Sequence, residues 1–325
     1  MALTAKSIFK PFRSELDTFQ EYFKESMASQ VPLVDQVARY LVKHKGKQFR
    51  PMLVLVAAST LSAPRRETYL ADVVVELLHT ATLVHDDVVD EAELRRGFPT
   101  INSVWKNKIS VLMGDYLLSK SLITATEIGS IEFMNIISNV AKRMSKGELF
   151  QIQKSRKLNI REEEYFQLIS DKTASLISAC CELAAITVEA TPERRAILKS
   201  FGENLGIAFQ IKDDLLDYQS RPGVLGKPVG NDLKEKKITL PLLFAFREAK
   251  DRERQKIIRM LKNGVKRKEI NAIVEFISSY NGIEKAEERA IDYKNRALEE
   301  LRKLPESQAR SVLESLAEFV VTRKK

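Results

Sequence analysis

Cysteine is almost missing from this chain: among 325 residues only Cys180 and Cys181 carry thiols, and they are neighbours. Adjacent residues on a helix point apart, which excludes a disulfide between them and predicts two reduced, buried thiols. Glycine (12) and proline (10) are sparse as well, which argues against a turn-rich sheet fold, and no Pro/Gly/Ser-rich linker divides the chain. No apolar run approaches the roughly 18 residues of a membrane span, and Lys6, Lys10 and Arg13 interrupt the first residues. Neither a spanning helix nor a secretory signal is therefore read, and a soluble, cytoplasmic protein is expected. Equally missing are a Ser-His-Asp grouping, a P-loop, a cysteine-histidine zinc spacing and a basic segment interleaved with aromatics. These absences exclude the corresponding hydrolytic, nucleotide and zinc chemistries and make nucleic acid an unexpected partner.

What is present is apolar residue at helical spacing. Hydrophobic residues make up 44% and recur three and four apart over long stretches, which predicts an all-α chain with a sizeable core in one domain, 1–325. An amphipathic helix is expected over Ile8 to Met27, with Phe9, Phe12, Leu16, Phe19 and Phe23 on one stripe, and another over roughly Leu33 to Lys43. Trp105 and the run Val111 to Leu118 are read as packing residues, and Tyr280-Asn281-Gly282 as a turn. The excess of 53 Lys+Arg over 44 Asp+Glu leaves +9, a balance that suits anionic partners. Much of that charge lies in the C-terminal third, with both signs intermingled, as on solvated helix faces.

The informative pattern is acidic. His79-Thr80-Ala81-Thr82-Leu83-Val84-His85-Asp86-Asp87-Val88-Val89-Asp90 ends an apolar segment with three carboxylates, and helical spacing puts Asp86 and Asp90 one turn apart on one face. Asp213-Asp214-x-x-Asp217 repeats the spacing at the end of a second apolar run. Crowded carboxylates repel unless a cation sits between them, and a hard ion such as Mg²⁺ shared with substrate phosphates suits acid-only ligands. Cations accompany both copies. Lys47 and Arg50 lie just before Pro51 at a helix start, where they oppose the dipole and an anion between them would explain their presence. Arg95 and Arg96 follow the first cluster in a loop closed by Gly97 and Pro99. His79, two turns before Asp86, shares the acidic face, whereas His85 is read as structural. Asp171-Lys172-Thr173 is expected to begin the helix holding the two cysteines. Gln210 falls on the acidic face three residues before Asp213, and Lys227 and Lys237 flank a glycine-containing loop, with Lys236 leaving the register open by one.

In these ordered motifs, from about Gly46 to Pro241, the chain resembles the trans-isoprenyl diphosphate synthases, the polyprenyl synthetase family, and especially its long-chain all-trans members of the octaprenyl type. The resemblance implies a large helical bundle of the isoprenoid synthase type around a central active-site cavity, and a homodimer. It implies Mg²⁺, three ions with substrate bound, on Asp86, Asp90 and Asp213, with Asp87, Asp214, Asp217 and Lys172 in the catalytic set. Isopentenyl diphosphate would bind at Gly46, Lys47, Arg50, His79 and Arg96. The allylic diphosphate would bind at Arg95, Lys172, Thr173, Gln210, Lys227 and Lys237; for Thr173 a helix-capping hydroxyl stays open as the alternative. The implied reaction ionises the allylic diphosphate and lets the isopentenyl double bond attack the cation. The other readings are a shorter-chain geranylgeranyl or farnesyl diphosphate synthase and, behind it, a terpene cyclase, whose second metal site differs from Asp213-Asp214-x-x-Asp217, or a non-catalytic subunit of a heteromeric synthase, which would be expected to lose aspartates kept here.

Product length follows from the helix direction. A hydrocarbon growing from the carboxylate end runs back past Thr82 and Ala81 towards Leu78, Leu77 and Val74. Short-chain members typically carry an aromatic residue where this chain has Ala81 and Thr82, so a long product of roughly C30 to C50 is expected, for use in quinone side chains. Its release would be slow, at about 0.8 kcal/mol per buried methylene, and a transient membrane contact would assist it.

Overall fold

The computed structural model describes residues 4–44, 46, 48–95, 97–219 and 230–324. Sixteen α-helices are named in chain order among them: α1 (Ala5–Ile8), α2 (Arg13–Met27), α3 (Pro32–Lys43), α4 (Phe49–Ser59), α5 (Arg66–Val89), α6 (Ile101–Glu127), α7 (Ile131–Lys157), α8 (Glu162–Ile169), α9 (Ser175–Thr187), α10 (Pro192–Gln219), α11 (Asn231–Lys234), α12 (Leu240–Glu248), α13 (Asp251–Lys262), α14 (Arg267–Ser279), α15 (Gly282–Leu301) and α16 (Gln308–Thr322). The strands among the described residues are two-residue β1 (Leu94–Arg95) and β2 (Phe98–Pro99), paired antiparallel. The fold is all-α, as the apolar spacing predicts.

The chain divides into two compact units, one of Met1–Ala141, Leu176–Gly202 and Glu300–Leu316, the other of Lys142–Ser175, Glu203–Glu299 and Ala317–Lys325. In the first, α4 is apolar all round and buried from Pro51 to Ala58, as a central helix must be. Phe19, Phe23, Val37, Leu55, Leu77 and Leu117 from α2 to α6 pack into one cluster there. Cys180 and Cys181 are buried and unbridged. The second unit has its own core, in which Tyr165, Ile211, Leu215, Leu240, Ile273 and Ile277 meet. No helix among the described residues is long and apolar enough to cross a membrane.

Local structure departs from the sequence reading in four places. The helix expected over Ile8 to Met27 is broken into α1, a 3-10 turn at Lys10–Phe12 and α2, because Pro11 has no N–H to donate and its ring clashes with the preceding turn. The expected loop after the first cluster is a hairpin, Leu94 opposite Pro99 and Arg95 opposite Phe98, turned by Gly97 at φ +83°. Asp171-Lys172-Thr173 does not begin a helix: Ser170–Ala174 is a π-helical turn joining α8 to α9. Within Val111 to Leu118, Met113 and Leu117 are buried, but Val111 and Leu112 are 41% and 57% exposed, since a helix has two sides and only one faces the core. Trp105 packs edge-on against Tyr40 with centroids 5.2 Å apart, and the turn at Tyr280 and Asn281, the latter left-handed at φ +52°, separates α14 from α15 as expected.

Candidate active site

The first acidic cluster closes α5. Asp86 is partly exposed and Asp87 is buried. Asp90 stands one residue past the helix rather than within it, its N–H donating to the Asp86 carbonyl at 2.8 Å, and its side chain is exposed. The buried member is met by a cation: Arg95 Nε on β1 donates to Asp87 Oδ1 at 2.7 Å. Arg95, expected on the allylic diphosphate, is also placed by the hairpin as the partner of a cluster acid. Further along the same unit, Arg50 on α4 donates through Nη1 to His79 Nε2 at 2.8 Å. An arginine can only donate, so His79 Nε2 is the unprotonated nitrogen. Arg50 and His79, assigned to the isopentenyl diphosphate, are therefore brought together. Gly46 leads into α4, whereas Lys47 and Arg96 lie outside the described residues. His85 Nε2 donates to the Val111 carbonyl at 3.2 Å, a packing contact with α6.

The second cluster closes α10, and there too the first aspartate is partly exposed and the second buried. Asp214 accepts from Tyr165 Oη at 2.6 Å and from Gln210 Nε2 at 2.8 Å. Burial, reinforced by Asp232, pushes the Asp214 carboxyl well above the usual range. Gln210 in turn accepts from Thr173 Oγ1 at 2.7 Å, which settles that hydroxyl as a side-chain donor rather than a helix cap. Asp217 accepts backbone N–H bonds from Asn231 and Asp232, both at 3.1 Å, and so anchors the first turn of α11. Asp213 Oδ1 accepts from Arg323 Nη2 at 2.6 Å.

A cavity in the second unit gathers Lys172, Thr173, Gln210, Asp214 and Lys237, five of the sequence-predicted residues, together with Tyr165 and Asp232. After the second cluster, Lys237 lines the cavity and pairs with Glu235, while Lys236, at φ +58°, sends its Nζ to the Lys262 carbonyl. Lys227 lies outside the described residues. The π-helical turn explains how Lys172 and Thr173 reach the cavity, since one extra residue per turn shifts their facing relative to a regular helix. Lys172 is tethered by Glu148, and α7 comes so close that a Cβ on Gly147 would stand 3.2 Å from the Lys172 nitrogen. Tyr165, Arg143, which holds Asp171 at 2.7 Å, and Asp232 were not found from sequence. Their partners lie far along the chain or in a loop, and no spacing signals them.

The residues assigned to product length, Ala81, Leu78, Leu77 and Val74, are buried, and Thr82 is partly so, with its hydroxyl on the His79 carbonyl at 2.8 Å. Leu77 and Ala81 sit inside the packed cluster of the first unit.

The polyprenyl synthetase family model matches residues 31–277. The chain belongs to this family. It is 35% identical over 299 residues to the octaprenyl diphosphate synthase of Escherichia coli strain K12, covering 92% of this chain and 93% of that protein. It is 33% identical over 308 residues to a short chain isoprenyl diphosphate synthase of Methanothermobacter thermautotrophicus, covering 93% and 94%. The crystal structure of a polyprenyl synthase from Caulobacter crescentus, complexed with calcium and isoprenyl diphosphate, superposes with a TM-score of 0.93 at 31% identity, covering 99% of this chain and 98% of that one. These relatives carry the isoprenoid synthase fold, and this chain shares it.

The family implies a divalent metal. Among the described residues no three His, Cys, Asp or Glu side chains converge closely enough to form a cage of their own. In the first unit Asp86 is partly exposed and Asp90 exposed, and in the second Asp213 is partly exposed; carboxylates of this kind suit a hard ion whose shell is completed by substrate oxygens.

Proposed function

We propose that this chain is a Mg²⁺-dependent prenyltransferase that condenses isopentenyl diphosphate with an allylic diphosphate, such as farnesyl or geranylgeranyl diphosphate, to give a long all-trans polyprenyl diphosphate. The observation that carries the reading is the matched pair of acidic helix ends within a member of this family. In each, one aspartate is buried and bonded by the protein while another keeps an exposed carboxylate. Asp86, Asp90 and Asp213 would hold the metal, which when bound stabilises the departing diphosphate. Lys172 and Lys237 add positive charge beside the allylic diphosphate, and Thr173 and Gln210 orient it by hydrogen bonds. Arg50, Lys47 and Arg96, with Gly46 and the neutral His79 beside them, hold isopentenyl diphosphate without a metal, so that its own C–O bond stays intact. Arg95 serves mainly by fixing Asp87, and Asp217 by fixing α11.

The two compact units work in this reading as one domain over 1–325, and two copies form a homodimer. The exposed Val111, Leu112, Leu122 and Ile123 on α6, spaced eleven residues apart in pairs on one helix side, supply an apolar face for the second copy.

Product length is the finer question. Ala81 and Thr82 set no aromatic floor, which favours roughly C30 to C50; the short-chain relative favours a shorter product. Incubation with Mg²⁺, farnesyl diphosphate and radiolabelled isopentenyl diphosphate separates them: linear products beyond about C20 support the long-chain reading, and products ending there favour the shorter one. Ala81→Phe should shorten the products to about C15 to C20, at a packing cost of about 1–3 kcal/mol because the site is already filled. Unchanged lengths from a folded variant would mean that the chain grows elsewhere.

A further inference from the structure

The residue that covers Asp213 is not one of those assigned to substrate. Arg323, 110 residues away in sequence, follows α16 and reaches α10 with three contacts. Its Nη2 donates to Asp213 Oδ1 at 2.6 Å and to the Phe209 carbonyl at 3.1 Å. Its guanidinium lies 4.1 Å from the centroid of the Phe209 ring. The Arg323 side chain is only 11% exposed, although Asp213 itself is 42% exposed. A flexible arginine gives up much rotamer freedom to be held this way, and a charge-assisted hydrogen bond together with a cation–π contact offsets that cost.

We propose that Arg323 is a stand-in cation on Asp213, which holds the carboxylate until a divalent metal displaces it, so that metal loading and release of the segment after α16 are one event. The inference rests on the reading of Asp213 as a metal ligand. A Mg²⁺ ion takes its oxygen at about 2.0–2.1 Å, so an ion on Oδ1 would stand less than about 5 Å from the guanidinium nitrogen now bonded there. A dication and a guanidinium on one oxygen repel, so a metal taken up on Oδ1 displaces the Arg323 contact. The same exchange gives the loaded state something that the free state lacks: a released cation that can turn to a newly arrived phosphate.

The test is a calorimetric titration of Mg²⁺ into the full chain saturated with farnesyl thiodiphosphate, an analogue slow to ionise. Arg323→Ala and Arg323→Gln should both tighten the apparent Mg²⁺ dissociation constant, by about tenfold if one charge-assisted bond is removed from the free state. Asp213→Ala should weaken Mg²⁺ binding, and adding Arg323→Ala to it should change nothing more. A chain cut after Thr322 serves as a second variant should the point changes disturb α16, with circular dichroism reporting the fold. Unchanged or weaker Mg²⁺ binding in the Arg323 variants, with Asp213→Ala still impaired, would overturn the stand-in role and leave the metal reading intact. Normal Mg²⁺ binding by Asp213→Ala would remove both. A purely structural Arg323 would not tighten metal binding when deleted.

Discussion

The two acidic clusters share one spacing and are built differently. At the end of α5 the buried aspartate, Asp87, is met by a guanidinium, and the third, Asp90, stays exposed. At the end of α10 the buried aspartate, Asp214, is met by neutral donors, Tyr165 and Gln210, and the third, Asp217, is used up on the backbone of α11. In the first cluster Asp86 is thus partly exposed and Asp90 exposed, and in the second Asp213 is partly exposed and covered by Arg323. Equal spacing therefore does not mean equal chemistry. What the copies share is a buried second aspartate bonded by the protein beside a partly exposed first one, the division of labour proposed above.

The largest expected effect tests that division directly. Asp86→Ala and Asp213→Ala should each cost turnover on the order of a thousandfold, because each removes charge stabilisation, and circular dichroism should show each variant folded. Full activity in either variant would break the parallel between the clusters. Stability should separate the buried members. Arg95→Ala leaves Asp87 buried without its guanidinium and should cost about 3 kcal/mol in urea unfolding. Tyr165→Phe removes one bond from an Asp214 carboxyl that burial already disfavours in its charged form, and should cost about 1–2 kcal/mol. The reverse order would mean that the counter-charge is not what distinguishes the two ends.

Substrate kinetics sharpen the comparison further. Arg50→Ala should raise the Michaelis constant for isopentenyl diphosphate about tenfold with less effect on the allylic substrate, and Lys172→Ala should do the opposite. Equal effects on both substrates would erase the distinction between a metal-free pocket and a metal-assisted one.

A smaller effect concerns a second buried acid on α5. Neither oxygen of Asp72 has a hydrogen-bond partner among the described residues, and burial, followed by Glu76, pushes its carboxyl well above the usual range. The folded chain then holds this proton at pH values where the unfolded chain has lost it. Stability contributed at low pH is therefore lost as pH rises from about 4 towards the raised folded value, at about 1.4 kcal/mol per pH unit. Asp72→Asn should remove that slope, leaving the variant more stable than the parent at neutral pH and nearly equal to it near pH 4. Parallel stability curves would show that Asp72 is not a buried neutral acid.

Much of this was legible in the sequence where a period carries the information. The apolar spacing marked α2, α3, α5 and the end of α10, and the repeated Asp-Asp-x-x-Asp marked both helix ends. Three features were not legible for physical reasons. Two-residue strands are too short to show alternation, so the hairpin that aims Arg95 at Asp87 read as a loop. A π-helical turn changes the hydrogen-bond step without changing composition, so Ser170–Ala174 read as a helix start. Contacts across long separations, Tyr165 to Asp214 over 49 residues and Arg323 to Asp213 over 110, leave no trace in local pattern. Pro11 is legible as a helix breaker, although the aromatic stripe on either side of it keeps helical spacing.

The division of labour within each cluster is tested most directly by counting bound ions. Mn²⁺ can be titrated, with farnesyl thiodiphosphate present, into the parent chain and into Asp86→Ala, Asp213→Ala, Asp87→Asn and Asp214→Asn, with paramagnetic resonance reporting the free ion. The account predicts fewer bound ions in the first two variants and an unchanged number in the last two, whose losses appear as stability instead. An Asp214→Asn chain that remains folded but binds fewer ions would contradict it.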